Sequence, residues 1–163
     1  MKNCFRPLAL ACVLVSASAV SAAATMFLFI PGVPGQSTDA GHPNWIELSS
    51  MQVGVANRVC SGITLTKTID SSSPVLSTAA LIGGEYPSMT LDFTTPNGAR
   101  PHSYLTYLLS NVTVTGLSQS TGGQLIHESV SLYPTTLTIT YRPLAPDGSV
   151  GTPVTYSLNC SKR

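Results

Sequence analysis

The strongest constraint on this 163-residue chain is a two-residue rhythm. Ile63, Leu65 and Ile69 alternate with Thr64, Thr66 and Thr68. Met89, Leu91 and Phe93 alternate with Thr90, Asp92 and Thr94, and Val154, Tyr156 and Leu158 with Thr155, Ser157 and Asn159. Successive side chains of a strand point to opposite faces, so each run predicts a strand with one buried and one wetted side. Between Glu128 and Arg142 the rhythm changes phase: Val130 and Leu132 are even, whereas Tyr133, Leu137, Ile139 and Tyr141 are odd. A one-residue slip turns every side chain over, which places a bulge or bend near Pro134. From Tyr104 to Leu109 both parities are apolar, the pattern of a strand covered on both faces.

One segment breaks the rhythm. In "SSPVLSTAALIGG", Ser73 reads as an N-cap, Pro74 as the first helical residue and Gly83-Gly84 as the stop, with Leu76, Ala79 and Ala80 at helical spacing. This predicts a short helix over about 74–82. Pro96-Asn97-Gly98 and Pro146-Asp147-Gly148 read as hairpin turns. The residues therefore describe a mainly β fold, a barrel or sandwich of about seven to eight strands with one short α-helix across an end. No repeat or linker divides it.

Ahead of this pattern stand a basic start with Lys2 and Arg6, an apolar run from Leu8 to Val15, and small residues to Ala24. That order predicts a secretory signal peptide over residues 1–24, cleaved after Ala22 or Ala24, and a single domain over 25–163. The apolar run is too short to span a membrane, and no second run is long enough. From Thr25 onward six basic side chains face seven acidic ones, a net charge of −1. No basic patch is visible, which argues against nucleic acid. Sparse charge with abundant Ser and Thr suits an exported β protein, or a subunit whose faces are covered by copies of itself.

Two cysteines remain after cleavage, Cys60 and Cys160. An exported chain with one pair predicts one disulfide. Closing so long a loop is worth at most about 4–5 kcal/mol in the chain-entropy picture. Cys160 shares the parity of Val154, Tyr156 and Leu158. Cys60 has the opposite parity to Ile63 and Leu65, unless Ser61-Gly62 bends the chain and turns it inward.

The residues densest in reactive groups are "GQSTDAGHPNWIEL", with Ser37, Asp39, His42 and Glu47. A nucleophile and its base converge from separate elements, so three members within six loop residues point instead to a connector rich in turn chemistry. His42, His102 and His127 share no strand face or helical turn, and no metal-ligand spacing exists, so neither a metal nor a cofactor is expected. There is no G-x-S-x-G elbow.

Several stretches together resemble the haemolysin-coregulated protein (Hcp) family of bacterial type VI secretion. Gly35, Ser37, Asp39, His42, Ile46 and Glu47 match in the opening segment. Lys67, Asp70, Ser73, Pro74, Leu76, Gly84, Tyr86 and Pro87 match around the helix, and "STGG", "ESVSL" and "ITYRPLAPDGSVG" follow in order. The resemblance implies a small β-barrel with one helix. It also implies homohexameric rings that stack into a tube, effectors carried in the lumen, and no catalytic residues. Tube-building members lack a signal peptide, and the Cys60–Cys160 pair is outside the family pattern. The expectation is therefore an exported, non-catalytic Hcp-like protein, periplasmic or secreted, whose partners are copies of itself and secreted effectors. The alternatives are a monomeric periplasmic or extracellular binding or adhesin-like module on the same fold, and a hydrolase using Ser37 or His42.

Overall fold

The alternation resolves into strands in a computed structural model of the chain, which describes residues 25–56, 59–97, 100–146 and 149–160. The described strands are β1 (Thr25–Phe29), β2 (Ile46–Leu48), β3 (Ser50–Ala56), β4 (Val59–Thr68), β5 (Glu85–Asn97), β6 (Arg100–Gly122), β7 (Leu125–Tyr141) and β8 (Val154–Asn159). One helix, α1 (Ser73–Ile82), stands between β4 and β5. Residues 1–24, the expected signal peptide, lie outside the described residues, as do Gly98 and Asp147-Gly148 of the two expected turns.

All strand pairings are antiparallel, in the order β2-β1-β5-β6-β7-β4-β3, with β8 on β7. The two ends of that order, β2 and β3, are consecutive stretches of one segment. β2 pairs with β1 and β3 pairs with β4, and the Ser49 N–H between them donates to the Thr66 carbonyl at 2.7 Å. The sheet thus curls into a barrel wall around a core that includes Leu28, Ile46, Leu65, Met89, Leu91, Leu109, Val112, Leu132 and Leu137. Leu76 and Ala79 carry the helix into that core.

The phase reversal in β7 falls between Pro134 and Leu137, and it has a mate. In β6 the buried residues change from Leu109 to Val112 and Val114, around Asn111 with a left-handed φ of 46°. Ser110 lies opposite Thr136 and Val112 opposite Pro134, so both strands turn over in step without losing register. The Asn111 amide donates to Thr135 Oγ1 at 3.3 Å, and that hydroxyl donates to the Ser110 carbonyl at 3.1 Å, which ties the bend across the ladder.

Four expectations are corrected. The N-cap position is Ser72, not Ser73, and its side chain makes no capping hydrogen bond; Asp70 Oδ1 accepts the Ser72 N–H at 2.9 Å. Ile69 is 48% exposed because β4 ends at Thr68, and the buried position in phase with Ile63 and Leu65 belongs to Lys67. The segment Tyr104–Leu109 is covered only in part on its outer face: Thr106 is half-buried against Asp92, but Leu108, opposite Thr90, is 43% exposed. In β8, Val154 and Tyr156 are 65% and 66% exposed rather than half-buried.

At the start of β4 a bulge sets the position of Cys60. Val53 lies opposite Ile63 but Val55 lies opposite Cys60, so β4 spends one extra residue there. Gly62, with φ at 89°, supplies the backbone conformation that the bulge needs. The extra residue reverses the parity and buries Cys60. Its sulfur is bonded to that of Cys160, the Cα atoms being 5.0 Å apart, within the usual span for this bond.

Candidate functional site

Two buried polar clusters and a set of exposed apolar side chains are the chemically distinctive parts of the molecule. The first cluster is built by register. Lys67 of β4 and Gln119 of β6 both stand opposite Glu128 of β7, one from each neighbouring strand. Lys67 Nζ donates to Glu128 Oε2 at 2.7 Å, to Asp70 Oδ1 at 2.8 Å, to the Thr68 carbonyl at 2.9 Å and to Ser73 Oγ at 3.0 Å. Gln119 donates to Glu128 Oε1 at 2.7 Å, and Ser73 Oγ donates to Oε2 at 2.6 Å. Lys67 and Glu128 are both 0% exposed. Burial pushes the Glu128 carboxyl up, but the hydrogen bonds from Lys67, Ser73 and Gln119, with the Lys67 charge, outweigh it and hold the group below its ordinary value. Ser73 and Asp70 belong to the first turn of the helix and the loop before it, so the cluster fastens α1 to the barrel wall.

The second cluster organises the 31–45 connector. The chain folds back on itself through Gly35 N to the Asn44 carbonyl at 2.8 Å, Ser37 N to the Trp45 carbonyl at 3.0 Å and Asn44 N to the Ser37 carbonyl at 2.9 Å. Gly35 is required because a Cβ there would collide with the Trp45 backbone. The loop lies on the outer face of β1 and β5. The His42 ring stacks on Phe27 with centroids 4.2 Å apart and meets the edge of Trp45 at 4.8 Å. His42 Nδ1 is 2.8 Å from Asp39 Oδ1, and Nε2 is 2.8 Å from Asp92 Oδ2. Asp92 Oδ1 also accepts from Ser103 Oγ and, at 3.2 Å, from Thr106 Oγ1. The Asp39 carboxyl is held below its ordinary value, chiefly by the His42 hydrogen bond, against the upward push of burial.

This arrangement bears directly on the residues singled out in the sequence. His42 meets a carboxylate at each ring nitrogen, so neither nitrogen is left to serve a nucleophile. The buried Ser37 hydroxyl instead accepts the Asp39 N–H at 3.2 Å. Glu47, on β2 opposite Phe27, is exposed and stands apart from the His42 contacts. His102 lies opposite Thr95, and His127 lies opposite Thr68 and Ser120. Among the described residues no three His, Cys, Asp or Glu side chains are grouped to hold a metal. A hollow of 240 Å³ beside Ser37, Glu47 and Asp70, and one of 270 Å³ at Tyr86 and Asn111, fall below the roughly 300–1,000 Å³ usual for ligand pockets. Sequence reasoning missed Glu128 and Asp92. Glu128 was findable, since Lys67 is in phase with Ile63 and Leu65, and Glu128 with Val130 and Leu132.

Large apolar side chains remain in water at several places, and three groups of them stand together. Leu81 (86% exposed), Ile82 and Val75 stand on α1, Leu125 and Ile126 at the β6–β7 tip, and Val154, Tyr156 and Tyr141 on β8 and the adjoining end of β7. The last group shares one face, because Tyr141 pairs with Val154 and Ile139 with Tyr156. No helix among the described residues is long and apolar enough to cross a membrane.

Residues 27–141 match the family model described as "Type VI secretion system effector, Hcp". Protein hcp1 of Pseudomonas aeruginosa is 31% identical over 154 residues, covering 84% of this chain and 95% of that protein. Among solved structures, Hcp1 from Salmonella typhimurium superposes with a TM-score of 0.73 at 26% identity, covering 85% of this chain and 95% of the other. A type VI secretion system effector from Yersinia pestis superposes with a TM-score of 0.72 at 24% identity, covering 82% and 98%.

Proposed function

Because the chain belongs to the Hcp family of type VI secretion system effectors, we propose that it is an exported, non-catalytic member that assembles with itself into homohexameric rings. The observation that carries this reading is the apolar surface left in water by one subunit. It includes Leu81 and Ile82 on α1, Leu125 and Ile126 at the hairpin tip, and Val154, Tyr156 and Tyr141 at the β7–β8 end of a chain with only 9% charged residues, surface that contacts between copies would cover. The buried polar clusters support the same reading. Their reactive groups are spent on fastening the helix and the 31–45 loop, which suits a scaffold. Rings of this kind stack and carry secreted effectors in the lumen.

Export rests on the basic, apolar and small-residue order of residues 1–24, and the bonded Cys60–Cys160 pair suits the oxidising compartment to which such a signal leads. N-terminal sequencing of the exported product is expected to start at Ala23 or Thr25; an intact Met1 would remove the signal peptide from the account. Light scattering on that product is expected to return about six subunit masses. One subunit mass would favour a monomeric binding module on the same fold.

A further inference from the structure

The β7 edge is shared by two strands laid end to end. β4 pairs with β7 from Thr68 opposite His127 to Ile63 opposite Leu132. β8 pairs with the same edge from Asn159 opposite Thr136 to Val154 opposite Tyr141. Both run antiparallel to β7, so the last residue of β8 meets the first of β4. The junction lies at Thr135, whose carbonyl accepts the Cys160 N–H at 2.8 Å, while the Tyr133 hydroxyl donates to the Cys160 carbonyl at 2.6 Å. The Cys60–Cys160 bond is the splice between the two strands. Without it β4 remains locked between β3 and β7, with Ile63, Leu65 and Lys67 buried. β8 has less support: it holds a six-residue ladder to β7, with hydroxyl contacts from Ser157 to Thr138 at 2.8 Å and from Thr155 to Thr140 at 3.1 Å, and Leu158 is its one side chain not classed as exposed. An edge strand that buries so little apolar surface is the part of the sheet whose local opening costs least.

We propose that the Cys60–Cys160 disulfide is an assembly gate: oxidation docks β8, and docked β8 presents Val154 and Tyr156, beside Tyr141, to a second copy of the chain. The inference rests on the ring reading above and adds its regulation. In the reduced chain β8 leaves the β7 edge while the barrel of β1–β7 keeps its core, so assembly waits until export. The step is a thiol–disulfide exchange. The two thiols give up two protons and two electrons to a disulfide-bearing oxidant, which departs as two thiols.

The test compares the exported protein purified without reductant, the same protein reduced with a phosphine, the reduced protein reoxidised with glutathione disulfide, and the C60S/C160S double variant. Light scattering reads mass, hydrogen exchange reads β8, and far-UV circular dichroism reads the barrel. The oxidised and reoxidised proteins are expected at about six subunit masses. The reduced protein and the double variant are expected at one, with residues 154–159 exchanging like an unpaired chain and the barrel spectrum unchanged. Rings in all four samples would overturn the gate and leave the ring reading standing. Single subunits in all four would overturn both. Global unfolding on reduction would overturn the gate, because the barrel would then depend on the bond as well.

Discussion

Replacing Lys67 by Met removes an ammonium at which four oxygens converge and leaves the Glu128 carboxylate in a site that water does not reach. Two of its hydrogen bonds survive, from Ser73 and Gln119, but its compensating charge is gone. Breaking a buried pair from one side costs about 3–5 kcal/mol, a large share of the roughly 5–15 kcal/mol that holds a domain together. For a chain of this length each kcal/mol is worth about 3 °C, so Tm should fall by about 10–15 °C. Thermal and urea unfolding of the oxidised protein measure this directly. The decisive comparison is the double variant Lys67→Met, Glu128→Leu. Removing both fully buried charges removes the cost of burying them, so it should regain part of the loss, although Asp70 is left without its cation and Ser73 and Gln119 give up an acceptor. A single variant that loses less than about 1 kcal/mol would refute the reasoning, because that is the behaviour of a solvated surface pair. So would a double variant no better than the single one.

Two further outcomes follow from the same contacts. The folded Glu128 carboxyl lies below its ordinary value, so its stabilising contribution is complete above the ordinary glutamate range, about 4.3, and is lost as pH falls through the folded value; urea midpoints should drop below that range in the native protein and drop less in Glu128→Gln, and parallel curves would rule this out. His42→Ala takes a shared hydrogen-bond partner from Asp39 and Asp92 and a stacked ring from Phe27; it should cost about 2–4 kcal/mol and speed hydrogen exchange in residues 35–45 while β4 to β7 stay protected, whereas unchanged exchange in the loop would mean that the clamp does not hold it.

The strands were legible because a half-buried antiparallel strand writes its two faces into alternate residues, and the reversal near Pro134 was legible for the same reason. Its mate at Asn111 was not, because the apolar residues before it occupy both parities and hide a phase. The position taken by Lys67 was obscured by counting apolar residues alone: the strand's core phase continued through a lysine, and the next apolar residue, Ile69, already lay beyond the sheet. The helix start was read one residue late, because Pro74 drew the first helical position to itself while the helix begins at Ser73. His42 read as a connector residue because its second partner, Asp92, is 50 residues away, a distance that no local spacing expresses. The hexameric ring came from the resemblance, since strand periodicity describes one subunit and sparse charge suggested only that copies could cover its faces.

The paired turnover at Asn111 and Thr135 also decides where this fold can change length over evolution. Adding or deleting one residue in β6 or β7 on one side of the bend would send the remaining half of that strand's apolar residues outward unless a bulge absorbs it, as happens in β6 between Val114, opposite Leu132, and Gly116, opposite Ser131. A tolerated change in these strands therefore comes as a matched pair, one in each, is taken up in such a bulge, or falls at the hairpin tip. There Gly123 already carries a left-handed turn between Gly122 and Leu125, and the chain beyond it is free to lengthen. Variation in length among related subunits should collect at that tip and in the connectors, while the bend keeps a constant count on either side.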